Sequence, residues 1–124
     1  MLGSSRLVAF VSTTDARRAR DFYQNTLGLS FVADDGSALV MDAGGVMVRV
    51  ARVKALTPAP YTTLGWGVTD IVSVVEGLRS RGVVFERFAG LKQDEAGVWL
   101  SPSGARVAWF KDPDGNLLSV TQFP

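Results

Sequence analysis

Apolar residues fall along the chain in two alternating rhythms. Residues 7–11, Leu-Val-Ala-Phe-Val, form a short unbroken apolar run with β-branched and aromatic side chains, the pattern of a strand covered on both faces. Ser12, Thr13, Thr14 and Asp15 then offer capping side chains. From Ala16 the apolar positions Ala19, Phe22, Tyr23 and Leu27 recur at helical spacing, with Arg17, Arg18, Arg20 and Asp21 on the wet side and Gly28 as the stop. The rhythm returns to strands over residues 29–33, 37–41 and 46–53. They are separated by Asp34-Asp35-Gly36 and Asp42-Ala43-Gly44-Gly45, both of which read as hairpin turns. The first half is therefore βαβββ.

Residues 54–60 read as a linker, because Pro58 and Pro60 resist both a helix and a central strand. After it the order repeats. Residues 61–69 predict a strand, and Asp70 predicts the N-cap of a helix whose apolar positions are Ile71, Val74, Val75 and Leu78, closed by Gly82. Strands are expected over 83–88, 98–100, 105–110 and 117–123, the last entered through the turn Asp112-Pro113-Asp114-Gly115. The fold class expected is α+β, one domain over residues 1–124 made of two tandem βαβββ modules, about 6–53 and 61–124.

At 124 residues the chain can bury a real core without disulfides or a structural metal. Cysteine and histidine are both absent. That excludes thiolate metal sites, cysteine nucleophiles, a Ser-His-Asp triad, an imidazole base and any His-ligated metal. Thirteen Lys and Arg against twelve Asp and Glu leave a formal charge of +1, too little to point to nucleic acid or a membrane surface. The first residues carry no apolar run of signal-peptide length, and no stretch reaches the ~18 apolar residues of a membrane span. A cytoplasmic location is the expectation.

The run from Val8 to Asp15, then Phe22-Tyr23, then Leu27-Gly28-Leu29, is similar to the opening module of the vicinal oxygen chelate superfamily. Residues 110–118, Phe-Lys-Asp-Pro-Asp-Gly-Asn-Leu-Leu, resemble its closing motif. In this order and separation the pieces cover nearly the whole chain. The superfamily includes glyoxalase I, extradiol dioxygenases, fosfomycin-resistance transferases and bleomycin-resistance proteins. The resemblance implies two modules forming an open half-barrel around a cavity, commonly in a homodimer. It also implies metal ligands, typically His, His and Glu, at three strand positions. In this chain those positions hold Val8, Thr63 (or Tyr61 in another register) and Ser119. A valine and two hydroxyls carry no charge and cannot replace imidazole and carboxylate donors, so neither metal nor cofactor is expected.

Strand alternation from those positions nominates the side chains that share the cavity. Alternation gives Val8, Phe10, Thr63, Gly65 and Ser119 as ligand-binding residues, with Gly67, Leu117 and Thr121 on the same parity, and the resemblance, through the family's aromatic and apolar pocket positions, adds Met47, Arg49 and Trp109, with Val107. Trp66 falls on the opposite parity and is assigned to the core. Arg49 either grips a carboxylate or phosphate, or is already paired with Asp42 or Glu86. Trp109 either stacks on a planar ring or packs in the core. Glu86, inside an apolar strand, is an outward residue or a candidate base. Two functions remain open. One is a metal-free protein that sequesters an aromatic or anionic small molecule, as the bleomycin-resistance resemblance implies. The alternative is a divergent glyoxalase-like or dioxygenase-like enzyme, metal-dependent or using Arg49 and Glu86 as electrophile and base, and a plain dimeric module with a filled cavity is a third reading. Binding is the preferred expectation, as a homodimer.

Overall fold

The computed structural model describes residues 1–124, which divide into two compact units, Met1–Thr57 and Pro58–Pro124. The first unit runs β1 (Val8–Thr13), α1 (Ala16–Arg20), a π-helical segment (Asp21–Thr26), β2 (Ser30–Asp34), β3 (Ala38–Ala43) and β4 (Val46–Arg52). Its four strands lie in the order β1-β4-β3-β2, with β1 parallel to β4 and the other pairs antiparallel. The helix is capped by the Asp15 carboxylate, which accepts from Arg18 N at 3.2 Å. The expected helix to Leu27 widens at Asp21, and Leu27 N donates five residues back to Phe22 O at 2.9 Å. Within that segment Tyr23 is fully buried, and Phe22 meets its ring edge-on.

Alternation decides the faces. Val11, Thr13, Leu39, Met41, Val48 and Val50 share one face and are buried there, alongside Ala19 and Tyr23 of the helical segment. At about 25 cal/mol per Å² this apolar face is the main stabilising contribution of the unit. β2 carries a bulge between Phe31 and Ala33, which leaves Val32 exposed. Arg20 lies over the Phe31 ring with its guanidinium carbon 3.6 Å from the ring centre.

The second unit runs β5 (Leu64–Gly67), α2 (Ile71–Ser80), β6 (Trp99–Leu100), β7 (Arg106–Lys111) and β8 (Leu117–Gln122). Its order, β5-β8-β7-β6, repeats that of the first unit, again with the first strand parallel to the last. The fold class is thus α+β, with two tandem modules of the same topology. The Asp70 carboxylate accepts from Ser73 N and from the Ser73 hydroxyl, and Ile71 N finds Gln122 Oε1 at 2.9 Å. Ile71, Val75 and Leu78 bury their side chains, as do Ala108, Phe110, Leu118 and Val120 on the face of the sheet to which Trp66 also belongs. The buried Asp112 carboxylate organises the turn before β8. It accepts from Asp114 N and Asn116 N at 2.9 Å and from the Asn116 amide at 2.8 Å, while Gly115 takes the positive φ of 86° that the turn requires.

Two expected elements differ. The strand expected over 61–69 is short because Pro58 and Pro60 precede it, although Thr63 N and Val68 N still reach Leu117 O and Thr121 O. The strand expected over 83–88 is absent. Only Phe85 bridges to Phe110, and Glu86 N donates to Trp109 O at 2.8 Å, before the chain leaves the sheet and returns at Trp99. Apolar content predicted a strand there, but Gln93 and Arg87 supply side-chain bonds that replace the ladder. Gln93 accepts from Phe88 N (2.8 Å) and donates to Glu86 O (3.0 Å) and Gly97 O (2.8 Å), and Arg87 donates to Asp94 O at 2.8 Å.

Candidate functional site

Each sheet has a second face, opposite the one that buries its core. In the first unit, register places Val8 beside Met47 and Phe10 beside Arg49, so these four nominated residues share one face. Val8, Phe10 and Met47 are exposed, Phe10 to 61%. A shallow apolar depression of about 170 Å³ lies here, among Leu7, Val8, Val32, Val40 and Met47. Arg49 is half-buried, and its partner is Asp35 rather than Asp42 or Glu86, at 2.6 Å from Nη2 to Oδ2. Asp35 is fixed in turn by Ser37 N and Ala38 N. The Arg49 guanidinium and these amides hold the Asp35 carboxyl below its ordinary range. Next to it, Arg52 grips both Asp34 oxygens at 2.7 Å. That clamp, with help from Gly36 N–H, lowers Asp34 to about 2. The two arginines of this strand therefore arrive with their charges matched.

In the second unit the corresponding face holds Gly65, Ser119 and Trp109 in one cross-strand row. Gly67, Thr121, Val107 and Trp99 make the next row. Trp109 is the centre of an aromatic group. The Phe88 ring meets it edge-on at 5.3 Å, and the Trp99 ring lies 6.0 Å away, tilted by 35°. The Trp109 indole donates to the Thr62 hydroxyl at 3.2 Å, which fixes the ring's orientation. Trp109 is half-buried, as are Trp99 and Phe88, so aromatic surface remains available on this face. Phe123, exposed at the end of the chain, lies against Gly67. Glu86 flanks the group and sits 3.5 Å from Lys111, a solvent-facing pair.

Trp99 and Phe88 were not among the residues nominated from the sequence. Trp99 had a partial signal, the short strand expected over 98–100, but its pairing with Val107 is set by the sheet register. Phe88 had none, because its placement depends on the hydrogen bonds of Gln93 seven residues from Glu86.

The three positions at which the family resemblance implies metal ligands do not fit a metal. Val8 has no donor. The Thr63 hydroxyl donates to Leu117 O at 3.2 Å, and Ser119 offers one neutral hydroxyl. No group of three or more His, Cys, Asp or Glu side chains is placed to hold a metal ion. No helix is long and apolar enough to cross a membrane.

The chain belongs to the Glyoxalase/Bleomycin resistance protein/Dioxygenase superfamily, whose family model matches residues 6–120. Its fold is shared by several solved structures. A member of that superfamily from Sphaerobacter thermophilus DSM 20745 is 26% identical, with a TM-score of 0.77 over 98% of this chain and 99% of that one. TnmS3, an antibiotic binding protein from Streptomyces sp. CB03234, is 25% identical, with a TM-score of 0.76 over 100% of this chain and 99% of that one. Lactoylglutathione lyase from Agrobacterium tumefaciens, 19% identical with a TM-score of 0.71 over 96% and 93% of the two chains, shares the fold. No curated protein matches the chain.

Proposed function

We propose that this protein binds a small aromatic molecule without a metal ion and sequesters it rather than transforming it. The observation that carries this reading is the Trp109, Trp99 and Phe88 group, which leaves aromatic surface on the sheet face away from the second unit's core. Planar rings stack on such surface with little rotamer cost. The likeness to TnmS3, an antibiotic binding protein, supports a binding role. The donor set supports metal independence, because Val8, Thr63 and Ser119 bring no charged ligand. Of the two ligand chemistries expected from the sequence, aromatic recognition is favoured over anion recognition. Arg49 already has a carboxylate at 2.6 Å, so an incoming anion must compete with Asp35.

The test is to release and identify small molecules from natively purified protein by mass spectrometry, and to titrate naphthalene-based probes with and without EDTA. A retained aromatic compound, and binding indifferent to EDTA, is the expected outcome. A stoichiometric metal whose removal abolishes probe binding would overturn the reading. We further propose that the chain forms a homodimer, supported by the exposed apolar residues Val8, Phe10, Val32 and Met47 on one face of the first unit. Sedimentation at micromolar concentration is expected to give twice the monomer mass, and a clean monomer contradicts it.

A further inference from the structure

We infer that the Ser119 hydroxyl is the polar contact of the aromatic site in the second unit, and that the site prefers a planar ring bearing a hydroxyl or carbonyl oxygen. The inference rests on the aromatic-binding reading above and adds the polar group that would orient the ligand. Ser119 is 92% buried, with a relative exposure of 8%. No protein group hydrogen-bonds its hydroxyl, yet its Oγ is not sealed from solvent. Buried hydroxyls in native proteins are nearly always satisfied, so one left without a protein partner and open to solvent is available to a ligand or a water.

Its neighbours place the hydroxyl within the site. Ser119 is the direct cross-strand partner of Trp109 on one side and of Gly65 on the other. Such pairs set their Cβ atoms about 5 Å apart, so an oxygen on a ring stacked at Trp109 falls within reach of the hydroxyl. Gly65 keeps the hydroxyl accessible. A Cβ there would lie 2.7 Å from Ser119 Oγ, closer than side chains tolerate, and would force the hydroxyl to rotate. Of the other hydroxyls on this side, Thr121 lies one row further from Trp109, and two have partners. Thr62 accepts from the Trp109 indole, and Thr63 donates to Leu117 O. A serine hydroxyl both donates and accepts, so it serves a phenol or a ketone equally.

The experiment compares 2-naphthol with naphthalene by equilibrium dialysis against the full chain and two variants, Ser119→Ala and Gly65→Ala. Wild type is expected to bind 2-naphthol more tightly than naphthalene. Each variant is expected to lose about three- to tenfold in 2-naphthol affinity, the usual net worth of one neutral hydrogen bond, with naphthalene unchanged within about twofold. Circular dichroism and thermal unfolding check that both variants fold. Gly65 is exposed and its backbone φ is not positive, so its variant supplies the test even if Ser119→Ala proves unstable. Equal losses for both probes, or no loss for either, overturn the Ser119 contact while leaving aromatic binding standing. Failure of wild type to bind either probe overturns both readings.

Discussion

The two units repeat one topology and use it to present different chemistry. Both place a first strand parallel to a last strand, with two further strands beyond it. In the first unit β2 is one strand with a bulge, and the face away from the core is aliphatic apart from the lone exposed ring of Phe10, with its arginines held by Asp34 and Asp35. In the second unit the edge position opposite β7 is divided. Phe85 and Glu86 hold one end of β7 and Trp99 and Leu100 the other, with a twelve-residue excursion, 87–98, between them. That excursion brings Phe88 to Trp109. A duplicated scaffold fixes the ladder, while the interrupted edge adds Phe88 to the Trp99 and Trp109 rings that the second unit's strands already carry.

The largest effect expected is on stability. Phe110 is 1% exposed and bridges to Phe85, so Phe110→Ala is expected to cost about 3–5 kcal/mol in urea unfolding. A cost below ~1 kcal/mol would mean that the divided edge is not held through Phe110. Gln93→Ala removes three bonds of the excursion and is expected to cost about 1–2 kcal/mol. Near-ultraviolet circular dichroism should lose the signal of the coupled Trp99 and Trp109 rings, and an unchanged spectrum would show that the excursion is held by something else.

Next in size is binding. Trp109→Ala is expected to weaken naphthalene by about 1.5 kcal/mol, read by calorimetry. By contrast, Arg49→Ala in the first unit is expected to change naphthalene-2-carboxylate affinity by less than about twofold, because its charge is already matched by Asp35. A loss above about tenfold in that variant would restore the anion reading and erase the chemical contrast between the units.

The smallest effect is on acid stability. Asp34, at about 2, and Asp35 are both depressed in the folded protein. A depressed carboxylate binds its proton less readily folded than unfolded. Its contribution is therefore complete above the ordinary aspartate value near 4 and is lost as pH falls towards 2. Both groups face solvent and are screened by salt, so the acid limb of the unfolding curve should flatten only slightly in Asp34→Asn. An unchanged acid limb at low salt would show that the clamp contributes nothing to the first unit.

Much of the fold was legible because its signals are local. The two caps, Asp15 and Asp70, work through side chains reaching three residues along the chain, and the Asp112 turn works through four. The alternation of Val8 with Phe10 and of Met47 with Arg49 follows from the pleat alone, whereas the shared face of Gly65, Ser119 and Trp109 also needs the register of three strands. Residues 83–88 misled for the opposite reason. Their composition suits a strand, but whether a strand forms depends on which partner satisfies their backbone, and Gln93 outcompeted the ladder.

The sequence by itself determined the order of elements outside residues 83–88, the alternation of faces along each regular strand and the absence of imidazole and thiolate donors. These are properties of residue type and period along short stretches of chain. Only the tertiary structure decided that Arg49 pairs with Asp35, that Trp99 and Phe88 join Trp109, and that the Ser119 hydroxyl has no protein partner while that of Thr63 does. Each of those outcomes is a choice among partners far apart in sequence. Such choices are set by sheet register and loop geometry, which no single residue encodes.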